Sequence, residues 1–345
     1  MLEGYRSVLI IDHHKSVSEQ LVLNQETGEI TRERVRGERA EVRRRLEGLP
    51  RPAVVYLEAC RSWEWVSDLC DGLGIECRLI DPGKMPEIAR SKKKTDRHDV
   101  DAMLSRLLAV GKLPESHRAT RVERELRELT RNRMDVQRLV RQTLNRLHAL
   151  CDGQGLPARQ RDFTDLEWRG RMSAELGPQL GLVLEVLLDQ LAHLRGAIER
   201  LEGRLVELTA ERADVRALKT IPGIGPILAA TMVAEIGDIS RFKDSRHLAS
   251  FSGLVTAVRS SAGKARMGHI SKAGPPALRW ALTQAIISGL RVRGNPFARY
   301  YRRKRPRGRG AMLAVCAAAH KLARVIFVVL SRQVAFDPVK VGRAA

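Results

Sequence analysis

The chain has 345 residues and carries 61 Lys plus Arg against 40 Asp plus Glu, a formal net charge of +21. An excess of that size favours a polyanionic partner, nucleic acid or an acidic membrane surface. No uninterrupted apolar run reaches the roughly 18 residues of a membrane span, and Met-Leu-Glu-Gly at the start lacks a basic-then-apolar leader pattern, so the expectation is a cytoplasmic protein whose polyanion is nucleic acid. The five cysteines (Cys60, Cys70, Cys77, Cys151, Cys316) are odd in number and form no CxxC pair, which argues against a disulfide framework or a zinc module. Two or three domains fit the length, at roughly 100–200 residues each.

In chain order, Ser7 to Asp12 (SVLIID) is a short apolar strand that ends in an acid, and Glu19 to Asn24 alternates as a second strand. A third strand follows the turn Glu26-Thr27-Gly28. After Gly37, ERAEVRRRLEGL has helical spacing, Ala53 to Leu57 (AVVYL) reads as a buried strand ended by Glu58, and Trp63 to Leu73 fits a helix. Glu76 to Ile80 is a last strand, and Asp81-Pro82-Gly83 leads to SKKKTDRHDVDA (Ser91 to Ala102) and a helix running to about Val110. The order β-β-β-α-β-α-β-α is that of a ribonuclease-H-like (RuvC-like) domain, in which Asp12, Glu58, Asp96 and Asp99 meet at one sheet edge. Four carboxylates so placed raise one another's pKa unless a cation neutralises them, and oxygen ligands beside a phosphate substrate point to Mg2+. The competing reading of Asp96 and Asp99 is a capped, solvated helix start. His13 and His14 are adjacent on a strand and face opposite ways, which disfavours a shared transition metal. Lys15, Lys92, Lys93 and Lys94 are placed to reach a phosphate backbone.

Residues 118 to 150 form a basic amphipathic helix, readable as a solvated face, a partner helix or a nucleic-acid contact. A Gly- and Arg-rich loop is expected from Asp152 to Gly177. Leu184, Leu187, Leu191, Leu194, Ile198, Leu201, Leu205 and Leu208 then alternate steps of three and four, a coiled-coil seam. That seam closes either between copies of the chain or as a hairpin with the preceding helix.

From Leu218, LKTIPGIGPILAATMVAEIG matches a helix-hairpin-helix pattern, in which Gly223 and Gly225 let backbone N–H groups approach a phosphate without reading sequence. The block from Arg259 to Gly274 sets serines among Gly, Lys264, Arg266 and Lys272. It suits a plain polar loop, a phosphate-binding loop, or a nucleophile beside cations. A dense patch with Arg302, Arg303, Lys304 and Arg305, interleaved with Tyr300 and Tyr301, suits phosphates and stacked bases or a disordered basic loop. An apolar helix from Met312 to Leu330 closes the chain, and its His320, Lys321 and Arg324 exclude a membrane span. The expected division is 1–115 for the α/β metal domain, 116–212 for a helical coiled-coil segment, and 213–335 for a mainly α C-terminal domain.

Taken together and in order, Ile11-Asp12, Leu57-Glu58-Ala59, Lys94-Thr95-Asp96-Arg97-His98-Asp99, Ile221-Pro222-Gly223-Ile224-Gly225, Glu235-Ile236-Gly237-Asp238, Gly253-Leu254 and the Ser261 to Gly274 block resemble the DEDD-type transposases of the insertion-sequence 110 family. The resemblance implies a DNA recombinase. Asp12, Glu58, Asp96 and Asp99 would be its four acids on Mg2+, and Ser261 its nucleophilic serine, forming a phosphoserine-linked DNA end. It also implies a structured non-coding guide RNA beside the DNA partners, and a homo-oligomer, dimer or tetramer, in which the acidic domain of one protomer meets the serine domain of another. Where the family has Ala directly after its fourth acid, this chain has Val100-Asp101-Ala102, so Asp101 competes with Asp99; Ser260 likewise competes with Ser261. Spacing favours Asp99 and Ser261. The other readings are a metal-dependent junction-resolving nuclease that uses water and a non-catalytic nucleic-acid-binding scaffold.

Overall fold

The computed structural model describes residues 4–89, 96–261, 264–305 and 310–339. Two compact units divide the chain, Met1–Arg121 and Val122–Ala345.

The first unit is built on strands β1 (Ser7–His13), β2 (Val17–Asn24), β3 (Ile30–Arg36), β4 (Ala53–Glu58) and β5 (Glu76–Ile80), in the sheet order β3-β2-β1-β4-β5. The first three form an antiparallel meander, whereas β1–β4 and β4–β5 are parallel. β1 is buried at every position, as expected of a central strand covered on both faces. β3, with the sequence ITRERVR, lies at the sheet edge, where its charges oppose edge-to-edge pairing. Helices α1 (Arg39–Glu47) and α2 (Trp63–Gly72) belong to one face: Val42, Leu46, Val66 and Leu69 pack with Leu9, Ile11, Val55 and Leu57. A short helix, α3 (Pro86–Ala89), precedes α4 (Asp96–Val110), whose Val100, Met103, Leu104 and Leu107 join Val8, Ile10, Val54 and Tyr56 on the other face. Each such buried side chain contributes about 1.5–3 kcal/mol.

The second unit is helical apart from one ribbon. Helix α5 (Arg121–Asp152) packs along α6 (Leu166–Thr209) through Val140, Leu147 and Cys151 against Leu184, Leu187, Leu188 and Leu191, with Leu194 and Ile198 alongside. The leucine seam is therefore closed within the chain over most of its length, as the hairpin alternative has it, and Leu205 turns to Leu126 and Ala234. The loop expected from Asp152 to Gly177 is shorter than that. Asp165 accepts from the Glu167 and Trp168 N–H groups and starts α6 at Leu166, while Gly177 (φ 75°, ψ 175°) leaves helical geometry and Pro178 follows it, so α6 is two helical stretches that meet at a kink.

Beyond it lie α7 (Ala213–Lys219), α8 (Pro226–Ile236), α9 (Ser245–Phe251), the antiparallel ribbon of β6 (Thr256–Ser261) and β7 (Lys264–Ile270), α10 (Pro276–Gly289), α11 (Pro296–Lys304) and α12 (Ala311–Arg332). The Arg259–Gly274 block thus forms paired strands, in place of a plain polar loop. Part of the basic patch is helical: Asn295 caps α11, and Phe297 and Tyr301 enter the core, so these two aromatics are not free to stack on bases. α12 is long and apolar enough to cross a membrane by length and composition, yet Ala314, Ala318, Ala319 and Ala323 seat it closely among its neighbours in the core.

His320 on α12 is half-buried, and burial, with the Arg324 charge second, holds its pKa below the ordinary 6.5. The unfolded chain therefore takes up this proton first, so the neutral imidazole stabilises the fold above about pH 6.5 and that contribution is lost as pH falls towards the folded-state pKa. By NMR, His320 should titrate below 6.5, and between pH 7 and 5 the melting temperature should fall less in His320→Gln than in the native chain.

Candidate active site and nucleic-acid interface

The acid pair at the sheet end follows from strand alternation. Val8, Ile10 and Asp12 succeed one another at every second position of β1, as do Val54, Tyr56 and Glu58 on β4, so both acids belong to the face that α4 covers. The parallel ladder pairs Ile11 with Leu57, which puts Asp12 and Glu58 at the next step of adjacent strands, at their C-terminal ends. Asp12 is only 2% exposed and Glu58 is half-buried. His14 shares this face and approaches Asp12 with its Nε2 3.2 Å from Oδ1. His13 lies on the opposite face with its ring edge-on to Trp65 at 4.8 Å, and burial, then the neighbouring His14, depresses its pKa. Lys15 is exposed in the turn that follows.

Asp96 is the first residue of α4, and Asp99 stands one turn before Met103, on the apolar stripe that meets the sheet. Asp101 is roughly 200° around the helix from Asp99, and it accepts a hydrogen bond from Arg32 Nε of β3 at 2.8 Å. Asp101 is thus engaged at the sheet edge, which separates the two competing acids. The Asp96 side chain and Lys92, Lys93 and Lys94 lie outside the described residues. Among those that are described, no three His, Cys, Asp or Glu side chains gather as a metal-holding group. Asp12, Glu58 and Asp99 nevertheless offer only hard oxygen donors, the set that suits a small divalent cation.

Sequence reasoning missed Glu19. The β1–β2 register sets it directly opposite Asp12, and its side chain, 16% exposed, accepts from Arg34 Nε at 3.1 Å. The signal was available: counting back across the tight turn at residues 14–16 pairs position 12 with 19. Two facing carboxylates repel unless neutralised, and Arg34 neutralises one of them.

In the second unit, Ser261 ends β6, pairing with Lys264, and Ser260 pairs with Ala265. The side chains of Ser260, Ser261, Lys264 and Arg266 lie outside the described residues. The root of this ribbon is a close backbone contact. Ser271 N–H donates to Val255 O and Lys272 N–H to Gly253 O; Gly274 has φ +97°, and a Cβ there would overlap the Phe251 carbonyl. Lys272 itself is exposed, with φ 54°.

Gly223, in the turn between α7 and α8, has φ +96°, and a Cβ would overlap the Ala285 carbonyl at the end of α10. Its small size thus serves helix packing. Gly225 caps α8, and space is open where its Cβ would be. Arg303, Lys304 and Arg305 are exposed, whereas Arg302, also exposed, donates to Leu290 O at 3.1 Å and so closes the end of α10. Glu235 of α8 is 1% exposed and accepts a two-pronged bond from Arg131 of α5 at 2.7 and 2.9 Å.

Acids at one sheet end and a basic helical unit after it are accompanied by two family matches. Residues 11–154 match a DEDD-type transposase model, and residues 215–302 match the one described as "Transposase IS116/IS110/IS902 family". The class is therefore that of the transposases. Similar proteins include a probable family 20 transposase of Pseudomonas aeruginosa, 30% identical over 87% of this chain and 90% of its own. A transposase for insertion sequence element IS1328 of Yersinia enterocolitica is 27% identical over 83% and 86%, and one for IS1111A of Coxiella burnetii is 27% identical over 81% and 78%. The chain belongs to the IS110 family of transposases, and it is a DNA transposase of the DEDD type, a type that points to use of a divalent metal ion.

The Arg131–Glu235 bond predicts unequal mutational costs. Arg131→Ala leaves a buried carboxylate with Arg127 at 3.8 Å and should cost about 3–5 kcal/mol. Glu235→Gln leaves an arginine that is half-exposed to water and should cost about 1–2 kcal/mol. Urea unfolding of the two variants measures the difference.

Proposed function

We propose that this transposase cuts and rejoins the DNA strands of an insertion sequence, with Ser261 as nucleophile and Asp12, Glu58, Asp96 and Asp99 holding Mg2+. The observation that carries the reading is the convergence of Asp12 and Glu58 on the sheet face covered by α4, the helix whose first turn bears the other two acids. The sheet order supports a ribonuclease-H-like unit, and the Asp101–Arg32 bond favours Asp99 as the fourth ligand. When bound, the ion would supply Lewis-acid stabilisation of charge on the reacting phosphate.

The chain's own residues divide the remaining work. The Ser261 hydroxyl loses its proton and its oxygen bonds to phosphorus, while the bond from phosphorus to one DNA oxygen breaks and that oxygen leaves as a hydroxyl. A phosphoester replaces a phosphoester, so a DNA hydroxyl can later attack the serine-linked phosphorus and release Ser261 without a nucleotide cofactor. Lys264 and Arg266 on the same ribbon and Lys272 at its root supply positive charge to this reaction, and Lys92, Lys93 and Lys94 would hold backbone next to the acids, with Lys15 beside them. The α7–turn–α8 pair, with Gly225 at the start of α8, acts as a helix-hairpin-helix contact to phosphate.

DNA ends and target are the substrates. A structured guide RNA is a second polyanion in this proposal, in keeping with the charge of +21 and with the family resemblance. Homo-oligomer formation, as dimer or tetramer, is supported by exposed apolar residues on α6, Leu182 and Val186. A three-part division at about residues 115 and 212 and a cytoplasmic location complete the reading.

On a denaturing gel the native protein should leave a covalent protein–DNA adduct that Ser261→Ala abolishes, with strand transfer down at least about 10^3-fold and DNA binding intact. Ser260→Ala should retain the adduct. Asp12→Asn and chelation of divalent ions should each stop cleavage. An adduct that persists in Ser261→Ala sinks the serine assignment, and cleavage with no adduct in the native protein favours water as nucleophile.

A further inference from the structure

Between Asp244 and Asp337 the chain contains no acidic residue. Every lysine and arginine of α10, α11 and α12 therefore lies in a stretch without a carboxylate of its own. On α12 the outward stripe runs Lys321, Arg324, Val328, Arg332, at steps of three, four and four. Beside it opens a cavity of about 310 Å3 lined by these cations, by apolar side chains that include Val328 and Phe336, and by Asp337. Arg324 Nε is buried there without a hydrogen-bond partner among the described residues. The Lys321 ammonium stands 5.1 Å from the Tyr300 ring, which also carries Arg303 at 5.3 Å. Burial first, then the charges of Arg303 and Arg324, pushes the Lys321 pKa down, and a bound anion would offset the second of these causes.

The far wall is held in place. Gln333, with φ 50°, turns the chain out of the helix, and Val334 N–H donates to Val329 O. Phe336 N–H donates to Thr220 Oγ1 at 2.8 Å, and its ring stacks on Phe297. Asp337 accepts from the Val339 N–H at 2.9 Å. The cavity thus has both cationic and apolar lining, with Asp337 at its border, and its size falls at the small end of the roughly 300–1,000 Å3 range of ligand sites.

We propose that this cavity seats one nucleotide of a single-stranded nucleic acid, its phosphate on Lys321, Arg324 and Arg332 and its base against Val328 and Phe336. The inference rests on the nucleic-acid reading of the protein and adds to it a strand state and a site. A duplex keeps its bases paired and stacked and cannot offer one to the apolar lining of a cavity, whereas an unpaired nucleotide offers base and phosphate together. DNA and RNA single strands share this chemistry.

The test is fluorescence anisotropy with the full-length protein and three labelled probes, an oligothymidylate, an oligouridylate and a hairpin duplex, across a salt series. Arg324→Ala and Arg332→Ala, each checked by circular dichroism, should weaken single-strand binding about tenfold and lower the salt slope by about 0.7, one phosphate contact, with duplex binding unchanged. A preference for the uridylate or the thymidylate probe names the source. Native-level single-strand binding in both variants overturns the proposal, as does an equal loss on the duplex. Native protein that binds the duplex but neither single strand overturns it and leaves the transposase reading standing, whereas binding to none of the probes overturns both. A measurement independent of variant folding uses the native protein and thio-substituted oligonucleotides: photocrosslinks on the peptides bearing Val328 or Phe336 are expected, and crosslinks confined to other peptides overturn the site.

Discussion

Strand alternation is the constraint on which the acidic site depends. β1 is an apolar strand buried from end to end, and its last steps are Asp12 and His13, only 2% and 1% exposed. Because side chains alternate in face, the position of Val8 and Ile10 under α4 forces Asp12 onto the same side, and the parallel register forces Glu58 beside it. Neither acid could move to the other face without turning the apolar residues of its strand outward. The core and the acidic site are thus set by one register, and a slip of a single residue would lose both.

The second unit meets the opposite electrostatic problem. Its long acid-free stretch leaves cations to be accommodated by means other than ion pairs. Some cap helices, as Arg302 does at Leu290 O; some lie over rings, as Arg303 does at 5.3 Å from the Tyr300 ring. Among the acids before that stretch, Glu235 is buried and ties α8 to α5 through Arg131, whereas others such as Asp189, Glu207 and Glu211 stand in solvent. Because carboxylates stand up to Asp244 and are absent from there to Asp337, the later helices keep a positive surface without an internal ion-pair cost.

Much of the first unit was legible because its signals are local. Apolar runs ended by acids, turn residues between them and helical spacing afterwards define β1 to β5 and α4 to within a few residues. Where the reading failed, the deciding contact was distant or the local signal weak. Arg131 and Glu235 are separated by 104 positions, and nothing near either residue announces the other. The ribbon of β6 and β7 is polar, basic and only weakly alternating, so it reads as a loop until its pairing is seen. Composition obscured the start of α6, where a single capping aspartate outweighs a Gly- and Arg-rich neighbourhood. Spacing favoured Asp99 over Asp101, and what it could not show is that Asp101, roughly 200° around the helix, meets Arg32 of a strand 69 positions away.

The glycine contact at the root of the ribbon gives it the character of a lever arm. β7 has seven residues, about 3.3 Å each, so the arm spans roughly 20 Å, and a tilt of about 5° at the root would carry its tip nearly 2 Å. That displacement exceeds the positional tolerance of a nucleophile. On the serine chemistry proposed above, substitutions at Gly274 or Phe251, at the opposite end of the ribbon from the serine pair, would act as aiming errors that slow the chemical step while leaving the surfaces that grip nucleic acid as they were.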